Sequence, residues 1–169
     1  MKRVFSLIFP ILIIVAGCTA PPVVDDGTGT GGTRVYRISA GDASKIQFRM
    51  LDSVNSLRQA AGLSGLELSS QLNAAAATHS KDMARQNRPW HFGSDGSSPL
   101  DRVKRAGYRG ELKGENISET YETELQTLAA WMAQPDTRAV VMNPQARNLG
   151  IAWFQERNGK IWWTLITGG

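Results

Sequence analysis

The chain has 169 residues, with 19 basic and 15 acidic side chains, a formal net charge of +4 and a single cysteine. This length allows one domain with an appendage, because roughly 120–135 residues can bury a self-sufficient core. So small a positive excess gives no argument for a nucleic-acid partner, and one cysteine excludes a disulfide within the chain.

The first 17 residues have the composition of a secretory signal. Lys2 and Arg3 form a charged start, Val4 to Ala16 is apolar, and Val15-Ala16-Gly17-Cys18 resembles a lipobox, where bacterial lipoproteins are cleaved. The apolar stretch is shorter than the roughly 20 residues that span a membrane, and Pro10 interrupts it. A short membrane helix is the alternative, but the pattern favours a signal peptide over residues 1–17.

Cys18 is predicted to carry the lipid, and a free or buried thiol is the alternative. Stable anchoring needs more than one acyl chain, at about 0.8 kcal/mol per buried CH₂, and a lipobox cysteine resembles those that receive two or three. Thr19 follows Cys18, in place of the aspartate that often marks inner-membrane retention in Gram-negative cells. We therefore expect a bacterial envelope protein anchored to a membrane by lipid, in the outer membrane if the cell is Gram-negative.

Residues 18–40 are predicted to comprise the lipidated cysteine and a flexible tether, and residues 41–169 the folded domain. Residues 19–33 are rich in Pro, Gly and Thr and show no apolar period, which is typical of a linker. Residues 34–38 alternate weakly between apolar and polar side chains, which allows a short edge strand before the domain.

Two helices are predicted in the first half of the domain. Ser44 and Gln47 have the spacing of a capping box, so the first helix is expected to begin at Ser44 and to end at Gly62. The second is expected from Ser69 or Ser70 to about Asn87, with an inward stripe formed by Leu72, Ala75, Ala76, His79 and Met83. A histidine on such a stripe is interpreted first as a core residue and second as a ligand.

A short third helix is predicted after Ser98-Pro99, which has the pattern of an N-cap followed by proline, and it is expected to end near Gly107. Residues 110–114 are interpreted as a loop that delivers Glu115. A basic cluster accompanies this region and is interpreted as a solvated helix face, or alternatively as a contact with anionic envelope polymers or lipid headgroups. Its members are Arg102, Lys104, Arg105 and Arg109.

The last third of the chain predicts a helix followed by a β-hairpin. The stripe of the helix is Leu125, Leu128, Ala129 and Met132. Pro135 is expected to stop this helix, and Asp136 to cap one further turn through Val141. Two alternating runs, 149–153 and 161–165, flank Asn158-Gly159, which favours a type I′ hairpin turn. Trp162 and Trp163 point to opposite faces, and both can be core if helices cover the sheet on both sides.

Several short motifs follow one another in a characteristic order, although none of them is specific alone. The ordered set resembles the CAP superfamily (cysteine-rich secretory, antigen 5 and pathogenesis-related-1 proteins), in particular its short bacterial branch, over residues 51–166. The motifs are Asn55-Ser56-Leu57-Arg58, Ala61-Gly62-Leu63 with Leu66, Ala77-Thr78-His79-Ser80-Lys81-Asp82-Met83-Ala84, His91 with Asp95-Gly96, Arg102 with Gly107-Tyr108, Gly114-Glu115-Asn116-Ile117, Trp131, and Leu149-Gly150-Ile151-Ala152.

The resemblance implies an α+β fold, a three-layer α/β/α sandwich, whose cleft holds two histidines and two acidic or polar residues and in some members binds a divalent metal such as zinc. His91 and Glu115 match one histidine and one glutamate of that cleft. The bacterial branch usually reads Trp-x-x-Ser-Pro-Gly-His next, whereas here Gln134 takes the serine place and Thr137 the second histidine place. We therefore expect a ligand cleft of His91, Glu115, Gln134 and Thr137 with no tight metal site and no other cofactor.

Two functions remain open on these residues. His91 and Glu115 are candidates for a catalytic pair, but the serines near His91 lack a Gly-x-Ser-x-Gly elbow and have local roles in turns and a cap. Zinc catalysis uses three protein ligands, and this pair supplies two. The expected function is a non-enzymatic binding or envelope-organising module, which meets the membrane through its anchor and takes a lipid or envelope-polymer ligand. A peptidase-like hydrolase is the alternative.

Overall fold

The structure, a computed structural model, describes residues 35–169. The predicted signal peptide, the predicted lipidation site Cys18 and the tether up to residue 34 lie outside the described residues. None of the helices within 35–169 combines the length and the apolar composition that crossing a membrane requires.

The described chain contains five α-helices, which follow a short 3₁₀ turn at Ala40–Asp42. The helices are α1 (Ala43–Ala60), α2 (Ser70–Gln86), α3 (Pro99–Arg105), α4 (Glu124–Ala133) and α5 (Pro135–Val141). Four strands form one sheet, namely β1 (Glu67–Leu68), β2 (Leu112–Ser118), β3 (Asn148–Gln155) and β4 (Ile161–Gly168). Their order across the sheet is β1-β3-β4-β2, with β1 parallel to β3 and the other two pairs antiparallel.

Helices cover both faces of this sheet, and each face has its own apolar core. On one face α1, α4 and α5 pack around Trp163, and on the other α2 and α3 pack around Ile166. Every residue of β4 is buried, so both Trp162 and Trp163 are core residues, as the alternation predicted. The predicted three-layer α/β/α sandwich is confirmed.

Helix α2 approaches the sheet closely because β3 carries a glycine beneath it. A Cβ atom on Gly150 would lie 2.3 Å from the backbone carbon of Leu72, so any larger residue would push α2 away. The ends of α2 follow the sequence, since Ser69 caps its start and Asn87 ends it in the left-handed region with φ 49°. The predicted inward position of His79 is also confirmed, because its side chain is fully buried.

Two other helix starts differ from the prediction. Helix α1 begins at Ala43, and the predicted capping box of Ser44 and Gln47 is wrong because the Gln47 amide donates to the Ile151 carbonyl at 3.1 Å. Helix α5 begins directly after Gln134, and Asp136 lies inside its first turn. By contrast, Ser98 and Asp101 form a reciprocal capping box at α3.

The largest difference concerns Glu115, which lies on strand β2 although a loop was predicted up to it. This strand pairs with β4 over six residue pairs, and Glu115 is opposite Ile166. Strand β2 shows no regular alternation of apolar and polar residues, because its buried positions include the polar residues Glu115 and Asn116. Strand β1, only two residues long, was also missed.

The two remaining predictions of local structure fail for identifiable reasons. Residues 35–38 form no strand, because the Gln155 side chain bonds the Ile38 amide and the Tyr36 carbonyl in place of a neighbouring strand. The hairpin turn is not type I′, which needs positive φ at both central residues. Gly159 has φ 101°, but Asn158 does not have a positive φ, and residues 157–159 form a three-residue loop closed by Glu156 and Lys160.

Candidate functional site

The structure brings His91 and Glu115 together although they lie 24 positions apart. Their Nδ1 and Oε1 atoms are 2.9 Å apart, and because a carboxylate only accepts, the Nδ1–H of His91 donates. The environments of the two side chains differ strongly, since Glu115 is 2% exposed and His91 is 50% exposed. His91 therefore lies at the surface and is hydrogen-bonded to a buried carboxylate.

Arg102 holds that carboxylate. Its guanidinium donates to both oxygens of Glu115 at 2.9 and 2.7 Å and to the Ser97 carbonyl at 3.0 Å, and its side chain is 4% exposed. The interpretation of Arg102 as part of a solvated basic face is therefore wrong. Lys104, Arg105 and Arg109 are exposed, whereas Arg102 lies on the buried side of α3.

His79 lies directly behind this pair. Its Nε2–H donates to the Trp90 carbonyl at 3.0 Å, and Nε2 is 3.7 Å from the nearer oxygen of Glu115. Burial lowers the pKa of His79 despite the opposing attraction of Glu115, so the ring is neutral at pH 7. Nδ1 is buried and has no hydrogen-bond partner among the described residues. His79 thus acts as a core residue that fixes the position of the loop bearing His91.

Gln134 and Thr137, the other two residues of the expected cleft, are engaged elsewhere. Gln134 is exposed at the start of α5, and the Thr137 hydroxyl donates to the Trp131 carbonyl at 2.6 Å, at the end of α4. Thr137 meets the site only through its backbone, because its carbonyl accepts from the Asn116 amide at 2.8 Å. That bond fixes the orientation of Asn116, the residue beside Glu115.

The donor set does not fit the divalent metal that the resemblance implies. Both oxygens of Glu115 accept hydrogen bonds from Arg102, a permanent cation that would repel a second one at this distance. The hydroxyl of Thr137 is committed to a backbone carbonyl. Within residues 35–169, no group of three or more His, Cys, Asp or Glu side chains gathers where it could hold a metal ion.

A second acidic residue, which the sequence reasoning missed, positions the loop that carries His91. Asp82 on α2 is buried and accepts from the Ser94 amide at 2.6 Å and the Ser94 hydroxyl at 2.7 Å, and also from Arg85 and Gln86. Gly93, the residue before Ser94, has no room for a side chain, since its Cβ would be 2.5 Å from the Ser97 hydroxyl. The signal for this role in the sequence is the position of Asp82, one turn after His79 and beside the inward stripe of α2.

The hydrogen bonds that Asp82 accepts make the stability of the fold depend on pH in the acid range. Burial raises the pKa of Asp82, but hydrogen bonds from Ser94 and Arg85 outweigh it and lower the pKa to about 2, from 3.8. A group with a lowered folded-state pKa stabilises the fold above pH 4 and loses that contribution as the pH falls through 2. We expect Asp82→Asn to cost about 2 kcal/mol at pH 7 and only about 0.4 kcal/mol at pH 2, where half of the folded carboxyl groups are protonated. Urea unfolding at several pH values measures this, and a loss of equal size at pH 2 and pH 7 would contradict it.

The chemistry available to this arrangement is limited. A histidine oriented by a buried carboxylate accepts protons well, but acyl transfer also needs a nucleophile and an oxyanion site. The nearby hydroxyls have other partners, since Ser94 donates to Asp82 and Ser98 to Asp101. Among the described residues, the only hydrogen bond of the His91 side chain is to Glu115.

Comparisons with known proteins agree with this architecture. An outer surface protein from Borrelia burgdorferi superposes with a TM-score of 0.69 at 16% identity, covering 75% of this chain and 94% of that one. An extracellular SCP-domain protein from Bacillus anthracis gives 0.68 at 22% identity, covering 79% and 45%. Likenesses at these identities establish the fold alone.

Sequence comparison identifies the family. The uncharacterized protein YkwD of Bacillus subtilis is 29% identical over 119 residues, which are 70% of this chain and 46% of that protein. The chain thus spans about half the length of this curated relative. A family model described as "CAP: Cysteine-rich secretory protein family" matches residues 51–166, which include His91, Arg102 and Glu115. This chain therefore belongs to the CAP family, the cysteine-rich secretory protein family.

Proposed function

We propose that this protein is a lipid-anchored CAP-domain module of the bacterial cell envelope that binds an acyl chain and is not an enzyme. The observation that carries the proposal is an apolar groove between α1 and α4. Leu57 and Leu125 line it while remaining 37% and 47% exposed, and Leu128 and Met132 complete its wall. The groove has a volume of about 420 Å³, within the usual range for small-ligand sites.

The chemistry of the groove favours a flexible aliphatic ligand. Leucines left partly in water gain roughly 25 cal/mol for each Å² that a ligand covers, and the polar groups in the lining are limited to Ser53 and Ser56 at one side. The Ser56 hydroxyl already donates to the Asp52 carbonyl. Few directional groups remain to select a sugar or a peptide, whereas an acyl chain needs none.

The His91–Glu115 site supports the part of the proposal that assigns the protein no enzymatic activity. Arg102 neutralises Glu115, and no hydroxyl or thiol among the described residues bonds to His91 or His79. The proposed function uses no metal ion, because Arg102 occupies both oxygens of Glu115. The pair is assigned the role of joining β2, α3 and the loop 88–97.

Binding is tested with cis-parinaric acid, a fluorescent long-chain fatty acid. We expect saturable binding with a Kd of about 1–10 µM, or about −7 to −8 kcal/mol. Leu125→Asp should weaken it at least about tenfold, because a charge would then be buried beside the chain. Leu100→Asp is the matched control, since Leu100 on α3 is 43% exposed and outside the groove. Equal effects of the two variants would remove the groove from the proposal.

Envelope anchoring is tested separately at Cys18. We expect Cys18→Ser to leave an unprocessed precursor and to abolish metabolic labelling by a palmitate analogue, because the thiol is the site of lipid attachment. The wild-type chain, labelled in parallel, is the control. Undiminished labelling of the variant would end the lipoprotein part of the proposal without affecting the groove.

A further inference from the structure

A cavity of about 450 Å³ lies on the opposite side of the sheet from the groove, between α2 and α3. Its apolar lining consists of alanines, namely Ala74 and Ala75 on α2 and Ala106, which directly follows α3. Larger apolar residues at these positions would close the gap between the helices. The cavity therefore exists because these positions are alanines, and their methyl groups suit a short aliphatic ligand.

Both acidic side chains in the lining of the cavity already accept hydrogen bonds from neighbouring residues. Both oxygens of Asp82 accept hydrogen bonds, from Arg85, Gln86 and Ser94. Those of Asp95 accept from the Ser97 amide at 2.9 Å and from Arg105 at 2.6 Å. Hydrogen bonds from Ser97 and Arg105 hold the pKa of Asp95 far below its usual range, so this carboxylate stays charged and paired. Asp82 therefore has no acceptor capacity left for a ligand, and Asp95 is already paired with Arg105.

Donors, in contrast, remain in excess. Arg85 and Arg105 line the cavity with side chains 70% and 63% exposed, and each uses one of five N–H donors on its aspartate. Arg102 also belongs to the lining, its side chain is 4% exposed, and its Nε has no partner among the described residues. Three guanidinium groups with unused donors, beside two carboxylates that are already paired, provide the chemistry that recognises an anion.

We propose that this cavity is a binding site for a small carboxylate with a short aliphatic body, which the alanine walls enclose and the arginines at its mouth hold. Such a carboxylate is either the C-terminus of a short peptide or a free short-chain carboxylic acid. The cavity shares Arg102 with the His91–Glu115 site and Asp82 and Ser94 with the loop that carries His91. It shares no residue with the groove between α1 and α4.

The test uses the folded ¹⁵N-labelled domain and three probes, alanyl-alanine, its C-terminal amide and butyrate. We expect the dipeptide acid to shift the amide resonances of Thr78, Gly93 and Ala106 in a saturable manner, and the amide to bind at least about tenfold more weakly because it lacks the charge. Butyrate binding as well as the dipeptide would identify a free carboxylic acid as the ligand class. Butyrate without effect would identify a peptide C-terminus.

Matched variants locate the site. Ala74→Leu fills the cavity from an exposed position, and Arg105→Gln removes a guanidinium, so each should reduce affinity at least about tenfold. Their controls are Ala77→Leu and Lys104→Gln, both exposed on the same helices and outside the lining. Equal binding by the dipeptide acid and its amide, or equal effects of the variants and their controls, would overturn the proposal.

Discussion

Glu115→Ala will cost far more stability than His91→Ala, although the two residues are hydrogen-bonded to each other. Removing Glu115 leaves Arg102 charged, buried and without its carboxylate partner, which costs about 3–5 kcal/mol. Removing His91 takes away one hydrogen bond from a side chain that is half exposed, about 1 kcal/mol. At about 2–4 °C per kcal/mol, the thermal midpoints should fall by roughly 6–20 °C and by a few degrees respectively.

A double-mutant cycle isolates the ion pair beneath His91. We expect Arg102→Ala to cost about as much as Glu115→Ala, and the double variant to cost clearly less than the two together, because neither charge is then stranded. Arg105→Ala is the control, since its partner Asp95 is exposed and such pairs contribute about 0–1 kcal/mol. Thermal unfolding followed by circular dichroism gives the stability of the wild type, the two single variants, the double variant and the control. Strictly additive losses at Arg102 and Glu115, or an equal loss for His91→Ala and Glu115→Ala, would contradict this account.

Arg58→Met will destabilise the domain by a similar amount for a different reason. Arg58 is fully buried, and its guanidinium donates to backbone carbonyls instead of a carboxylate. It thereby ties the end of α1 to the segment between α5 and β3. The acceptors are the carbonyls of Ser64 at 2.8 Å, Val141 at 2.8 Å, Asn143 at 3.0 Å and Ala146 at 3.4 Å.

Each buried carbonyl left without a donor costs about 1–3 kcal/mol, so we expect a loss of about 3–5 kcal/mol from Arg58→Met. Arg58→Lys should restore little of it, because a compact ammonium cannot reach carbonyls that the planar guanidinium spans. Urea unfolding midpoints give the difference, with Gln59→Met, an exposed neighbour on the same helix, as the control. A lysine variant of near wild-type stability would show that charge alone matters at this position.

Local signals in the sequence determined much of the secondary structure. The starts of α2 and α3 follow from the capping side chains of Ser69 and Ser98, which act within four residues. The pairing of β3 with β4 follows from two alternating runs close in the chain. The order of the CAP motifs determined the fold class, because it reports a whole domain. It also placed His91 beside Glu115.

Only the tertiary structure decided the partners of the polar groups. Strand β2 forms against β4, some 50 positions later in the chain, and its polar residues show no strand period of their own. Arg102 belongs by sequence to a basic cluster, yet the rotation of α3 against β2 buries it on Glu115 while Lys104 and Arg105 stay in water. Gln47, Asp82 and Thr137 likewise take partners that local rules cannot specify. Capping and periodicity act within a few residues, whereas the desolvation of a charge depends on everything that packs around it, and that is settled only when the layers come together.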